Sequence, residues 1–301
     1  MQLKFPSSHL MLLGVLFLFH SCAFKSKFFH PAKISGIPSG TFSFSVGEQT
    51  TYVEMDTANF QPLLIKVNEK PVDFTFDVES VVFPNKQGNQ LNGWWLSPKE
   101  GAPEYTILHL HGSGQFLFTQ YQNIAPLVDR GFRVFTFDYS GYGFSEGEAN
   151  RENVINDVHA ALDYLQQRQE VKGTKIIVYG QSLGGHLAAW VGTERQGDID
   201  GVVIEGAYTS PKEIAMYGSP FWGRLLVKKG YSATEKLREY HKPLFVIHSH
   251  EDETVPFAMG KTMYEAGNQP KQFFEADKPH IAAIHHYPDE IANKIKSMFE
   301  L

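Results

Sequence analysis

Cysteine is almost missing from this chain: among 301 residues there is one, Cys22, so no intramolecular disulfide can staple the fold. Cations are outnumbered, with 27 Lys and Arg against 33 Asp and Glu, and they form no basic tract. The resulting formal net charge of −6 offers a phosphate backbone no general attraction, which argues against a nucleic-acid partner. The N-terminal apolar run, Leu10 to Phe19, is too short to span a bilayer comfortably. A phosphate-cradling loop is incomplete as well. His111-Gly112-Ser113-Gly114 has no third glycine at dinucleotide spacing, and no Walker lysine follows it.

What is present suffices for one large domain with a real core, since 42% of residues are hydrophobic and 20% charged. The first 22 residues read as an export signal. Lys4 precedes the Leu10–Phe19 h-region, and Ser21-Cys22 follows it directly. A lone cysteine at that place resembles a bacterial lipobox, in which it becomes the acylated first residue, although Phe19 and His20 depart from the usual Leu and small residue. Cleavage by an ordinary signal peptidase, or an uncleaved anchor, stays open. Residues 23–50 carry Lys, Phe, Pro and Ser without period and are expected to form a tether, with the folded domain at 51–301. Lipidation at Cys22 would make this a membrane-attached protein of the cell envelope; otherwise it would be periplasmic or secreted.

Within the domain, Glu79–Phe83 and Leu91–Leu96 flank the turn residues Asn85-Lys86-Gln87-Gly88-Asn89, a hairpin signal that would start the sheet in antiparallel fashion. From Tyr105 onward, buried strand-like runs alternate with helical ones. The strands fall at Tyr105–Leu110, Phe132–Phe137, Ile176–Tyr179, Gly201–Gly206, Pro243–His248 and Lys271–Ala276; helices are expected at about Tyr121–Asp129 and Val154–Leu165 and in a C-terminal segment running to Leu301. That alternation predicts an α/β fold, a mostly parallel central sheet flanked by helices. The stretch from about 207 to 240, with Pro220-Phe221-Trp222-Gly223, shows no clear strand and reads as a small cap over the C-terminal strand ends.

Chemistry concentrates on Gly180-Gln181-Ser182-Leu183-Gly184, which joins the strand Ile176–Tyr179 to a helix opening at His186. Strand, G-x-S-x-G, helix is a nucleophile elbow, a turn so tight that glycine is needed two residues either side of the serine. The helix N-terminus then aims backbone N–H groups at the same place. His111-Gly112-Ser113-Gly114 ends another strand and could supply a second donor. The amides of Ser113 and Leu183 would form an oxyanion hole. An acid is expected in the loop Ser249–Pro256, with Asp252 the choice and Glu251 and Glu253 as neighbours; a base is expected after the last strand, with His280 first and His285 and His286 next.

Together with Asp138-Tyr139-Ser140-Gly141-Tyr142-Gly143-Phe144-Ser145-Glu146-Gly147 and Glu205-Gly206-Ala207-Tyr208-Thr209-Ser210, these motifs resemble the α/β-hydrolase superfamily, and within it the serine hydrolases related to monoglyceride lipase and the prolyl aminopeptidases. The resemblance runs from about Val81 to the C-terminus. It departs from the family at Ser140, where many members carry Arg, at Ser249 and at Lys278-Pro279. It implies Ser182 as nucleophile, Asp252 as acid and His280 as base in a two-step acyl transfer that needs no metal or organic cofactor, acting on a small-molecule acyl substrate. An esterase or lipase-like activity is expected, with an aminopeptidase-type amide hydrolase or an inactive binding protein as alternatives. A metal-dependent hydrolase using His109-x-His111 and His248-x-His250 is a further one. Dehalogenase or epoxide hydrolase chemistry is disfavoured because it would place Asp at position 182.

Overall fold

The computed structural model describes residues 28–34, 39–219, 221 and 231–299. The N-terminal residues form five short strands, β1 (His30–Pro31), β2 (Thr41–Val46), β3 (Gln49–Met55), β4 (Pro62–Val67) and β5 (Lys70–Pro71). Next come β6 (Phe76–Pro84), β7 (Gln90–Pro98), β8 (Tyr105–Leu110), β9 (Gly114–Gln115), β10 (Phe132–Phe137), β11 (Lys175–Gln181), β12 (Gly201–Glu205), β13 (Leu244–Ser249) and β14 (Lys271–Ala276). Eight of these make the central sheet in the order β14-β13-β12-β11-β8-β10-β7-β6. The hairpin β6–β7 is antiparallel and joins β10 antiparallel, and every later pairing is parallel.

Both faces of the parallel strands are covered, so their residues are apolar without alternation. Leu108, Phe135, Val178 and Val202 point into one layer with α3 (Arg151–Gln167) and α4 (Leu183–Glu194); Ile107, Val134, Ile177 and Val203 point into the other with α2 (Ala125–Val128) and α9 (Pro288–Ser297). Helix α3 begins where the Asn150 side chain accepts the Asn153 amide, and buries Val154, Val158, Ala161, Leu162 and Leu165 along one stripe. The helix expected over Tyr121–Asp129 is instead broken. It comprises α1 (Leu117–Gln120), a 3₁₀ turn at Tyr121–Asn123, and α2. Pro126 explains the break, because its ring would clash with the carbonyl four residues back and it has no N–H to donate.

The tether expectation is overturned for the described part of residues 23–50. Thr41-Phe42-Ser43-Phe44-Ser45-Val46 alternates strictly and pairs antiparallel with β3, opening a four-stranded sheet, β2-β3-β4-β5. Phe42 and Phe44 set their rings against Phe118 and Phe116 at 5.4 and 4.9 Å, so the segment is held by aromatic burial. Ahead of it, β1 runs parallel to β9, and Lys33 bridges to Gly143. The signal segment, Cys22 and residues 35–38 lie outside the described residues. Of the expected cap, α5 (Pro211–Gly218) and α6 (Ala233–Leu237) are helical, while Pro220, Trp222 and residues 223–230 are outside the described set. The last elements are α7 (Phe257–Ala266), α8 (Ala283–His286) and α9; the single C-terminal helix expected there is interrupted at Tyr287, before Pro288.

A buried carboxylate ties three of these pieces together. Asp157 of α3 accepts Asn85 Nδ2 at 2.7 Å from the β6–β7 turn, and from the loop after β10 the Ser140 amide at 2.7 Å and the Ser140 hydroxyl at 3.0 Å. Serine at position 140 thus has a partner of its own. Asp157→Ala would orphan those buried donors. It is expected to cost about 3 kcal/mol and lower the melting temperature by about 10 °C, with Asp157→Asn milder; thermal unfolding that leaves Asp157→Ala within a degree of wild type contradicts this.

Candidate active site

Ser182 lies between β11 and α4 with φ 54 and ψ −114, a backbone conformation that costs a non-glycine residue about 1–3 kcal/mol. The turn is enforced from both sides. A Cβ on Gly184 would collide with the Leu110 carbonyl at the end of β8, and one on Gly180 would strike the Gly184 carbonyl, so α4 can start this close to the sheet only through glycines. Ser182 N–H donates to the Glu205 carbonyl at 2.9 Å, and the Ser182 carbonyl receives Gly185 and His186 amides at 3.1 and 3.3 Å. The side chain is left at the surface of the turn. Gly112 passes beside it: a Cβ there would lie 3.7 Å from Ser182 Cβ.

Of the acids in the loop after β13, Asp252 is the buried one, its side chain 1% exposed, and Glu251 and Glu253 are exposed. His280 Nδ1 donates to Asp252 Oδ2 at 2.6 Å. The other oxygen, Oδ1, accepts the Thr254 and Val255 amides at 2.9 and 2.7 Å. Burial pushes the Asp252 carboxyl up, but the His280 hydrogen bond and charge, the Val255 amide and His248 together outweigh it and hold the carboxyl below its usual value. His248 Nε2 is 3.5 Å from Asp252 Oδ2 and donates to the Val255 carbonyl at 3.0 Å. Burial lowers its pKa, which keeps it neutral and leaves the Asp252 charge to His280. The His280 side chain is 19% exposed, with its ring against the end of β12, where a Cβ on Gly206 would come 3.2 Å from His280 Cε1. His285 and His286 are exposed on α8 and meet neither Asp252 nor Ser182 among the contacts described.

The loop around Ser113 is shaped from beneath. His111 is fully buried, its ring stacked on Tyr139 with centroids 4.1 Å apart, its Nδ1 against the Gly112 carbonyl at 2.7 Å; desolvation takes it down to about 3, so it is neutral. Tyr139 O–H donates to the His111 carbonyl at 2.9 Å, and the Ser113 carbonyl accepts both Tyr142 O–H at 2.8 Å and the His30 amide at 2.9 Å. Asp138, buried and with its pKa driven well up by desolvation, holds the Leu117 amide at 2.7 Å and so fixes the start of α1.

The paired histidines are occupied elsewhere. His109 bridges Thr136 Oγ1 and Gln181 Oε1 at 2.9 and 3.0 Å, and His250 reaches Glu275 at 2.9 Å; among the described residues no group of three or more His, Cys, Asp or Glu side chains is arranged to hold a metal ion. Glu205 was given no role from the sequence, although a charge ending the run Val202-Val203-Ile204 signals a buried carboxyl. It is 1% exposed, and it accepts Tyr179 O–H, Gln181 Nε2 and the Ala283 amide at 2.8, 2.7 and 3.1 Å. The strain at position 182 has a measurable consequence. Ser182→Gly is expected to raise stability by about 1 kcal/mol, the relieved strain less the entropy of glycine, and to raise the melting temperature by about 2–4 °C. A lower melting temperature would show that the elbow is not strained.

Residues 101–228 match the family described as serine aminopeptidase, S33. The protein YfhR of Salmonella typhi is 32% identical over 223 residues, an alignment spanning 69% of this chain and 76% of that one. A Mycobacterium tuberculosis protein, MT2364, is 25% identical over 243 residues, or 80% of this chain and 83% of the other. Among solved structures, the Pyrococcus furiosus esterase Pf2001 superimposes with TM-score 0.62 at 21% identity, covering 75% of this chain and 90% of that one. Est1E of Butyrivibrio proteoclasticus, solved with ferulic acid bound, gives TM-score 0.59 at 17% identity over 72% and 96% of the two chains. With a central sheet that starts antiparallel and turns parallel, and Ser182 at the elbow that follows its fifth strand, the chain belongs to the α/β-hydrolase superfamily, in the serine hydrolase branch that includes the S33 serine aminopeptidases.

Proposed function

We propose that this α/β hydrolase is a serine esterase that works through an acyl-enzyme. The observation that carries the reading is the 2.6 Å hydrogen bond from His280 Nδ1 to buried Asp252, placed at the strand end next to the strained Ser182. Asp252 would hold the tautomer with Nε2 bare, ready to take the Ser182 proton. Among the described residues Ser182 Oγ donates to no partner; serine–histidine bonds of this kind commonly tighten only with substrate in place. Ser182 attacks the ester carbonyl, His280 passes the proton to the leaving alkoxide, and water then releases the acyl group by the same steps. The amides of Ser113 and Leu183 are the proposed oxyanion donors.

Ester rather than amide cleavage is favoured by the esterase description of Pf2001, whereas the aminopeptidase wording of the family favours the amide reading. A chain-length series of nitrophenyl esters set against aminoacyl nitroanilides separates the two. Ser182→Ala is expected to lose about 10³-fold or more in kcat/KM and all labelling by a fluorophosphonate. His280→Ala should cost about as much, and Asp252→Asn somewhat less. Labelling that persists in Ser182→Ala would sink the assignment.

The proposed location is the cell envelope, through acylation of Cys22. Five residues separate Cys22 from Phe28, and the six Cα–Cα steps at full extension reach about 20 Å. The oxyanion loop, paired with His30, would therefore sit close to the lipid surface. Wild type is expected in the detergent phase on partitioning and Cys22→Ala outside it. A soluble wild type with a free N-terminus beyond Cys22 would refute the anchor and leave the chemistry untouched.

A further inference from the structure

The buried carboxylate with the most connections to both halves of the site is Glu205, which the mechanism above does not use. Its backbone carbonyl receives the Ser182 amide at 2.9 Å. Its side chain receives the Ala283 amide at 3.1 Å, three residues past His280, in a loop where Ile281 is held at φ 52. The residue after it, Gly206, carries the His280 ring, with Nδ1 3.3 Å from where a Cβ would stand. Nucleophile and base are thus tied to one another through Glu205.

Its hydrogen bonds all point inward. Burial makes His109 neutral, at about 4, so it has one N–H to give. Thr136 O–H can donate to Nδ1, Nε2–H to Gln181 Oε1, and Gln181 Nε2 to Glu205 Oε2, which also takes the Tyr179 hydroxyl. With this polarity the row across β10, β8, β11 and β12 ends on an acceptor. Burial raises the Glu205 carboxyl above its usual range, and the Gln181, Tyr179 and Ala283 donors that converge on it oppose that rise and favour its charge.

We propose that Glu205 is an ionised positioning residue of the acyl-transfer site, which fixes the His280 loop and supports from the β12 side the positive charge that His280 gains when it takes the Ser182 proton. The inference rests on the Ser182, Asp252 and His280 reading. The other groups facing His280 leave room for such an effect. Asp252 is its direct partner, with neutral His248 behind it; Asp277 and Lys278 pair with each other at 3.4 Å in the exposed part of its own loop; Glu251, Glu253, His285 and His286 are exposed; His186 of α4 is buried and, at about 4, neutral. Facing Glu205 are Tyr179, held neutral by burial, His109 through Gln181, and His280. A fixed anion in this low-dielectric place favours an imidazolium wherever it forms.

The experiment compares pH profiles of kcat/KM on a nitrophenyl ester for the full chain. Glu205→Gln keeps size and neutral hydrogen bonding while removing the charge. Its kcat is expected to fall about tenfold with KM within about twofold, and the acid limb of the profile to move to lower pH by about half a unit or more, since the imidazolium has lost support. Tyr179→Phe, which leaves the carboxylate with one donor fewer, is expected to move the acid limb the same way by a smaller amount, because Glu205 then takes up a proton more readily and part of the support is lost. Fluorophosphonate labelling of wild type is run alongside. No labelling of Ser182 overturns the triad and Glu205's role with it; labelling with both variants' profiles superimposed on wild type overturns the role of Glu205 alone. Should Glu205→Gln fail to fold, the direction of the Tyr179→Phe shift decides.

Discussion

The site depends on how closely α4 can approach the end of β8. With no side chain at Gly184, the first turn of the helix rests on the Leu110 carbonyl, and that single contact brings together the elbow, the Leu183 amide and the loop Gly112-Ser113. Any Cβ at that place would lift the helix and separate Ser182 from the loop Gly112-Ser113. The cost appears as the left-handed backbone of Ser182, about 1–3 kcal/mol, small against the burial of Leu183, Leu187, Ala188 and Val191 on the same helix. Packing of α4 therefore holds the strain in place, and the hydrogen bonds from Ser182 to Glu205 and from His186 to Ser182 fix its direction.

Around that contact, ionisable groups are sorted by burial. Asp138, Asp157 and Glu205 are all buried and each anchors a loop by accepting amides, at the start of α1, after β10 and past His280 respectively. In each case the carboxyl replaces solvent with peptide N–H groups, which is how a buried acid is tolerated. His109, His111, His186 and His248 are buried and pushed toward neutrality. His280 is the imidazole of this group that reaches the surface, and it faces an acid whose remaining lone pairs are already taken. Burial alone thus separates the accessible His280 from four enclosed histidines.

The parallel part of the fold was legible from the sequence because strands buried on both faces leave long apolar runs, as in Ile176–Tyr179 and Leu244–Ile247, and because each run ends where a chemical motif begins. Ser182, Asp252 and His280 could be placed from chain order, and the structure brings the last two into direct contact. The missing parts are those whose evidence lies in tertiary contacts. Phe42 and Phe44 alternate with serines over too few residues to stand out until Phe116, Phe118 and Phe144 are seen to receive them. The residues after Tyr121 keep an apolar helical period, and Pro126 interrupts it because proline is accommodated in the first turn of a new helix and not in the interior of a continuous one. Glu205 and Asp157 look like ordinary surface charges in one dimension, since neither has its partners within ten residues.

The N-terminal residues change how the domain is assembled. The central sheet starts at β6, yet residues 28–34 pair with β9 and with the loop after β10, where the His30 amide and the Tyr142 hydroxyl share the Ser113 carbonyl, and Gly143 exchanges hydrogen bonds with Ala32 and Ile34. A carbonyl held by two donors fixes the plane of the following peptide, because the peptide unit rotates as one body. The loop that borders Ser182 is therefore supported by Tyr139 and Tyr142 from the core and by the N-terminal segment from outside.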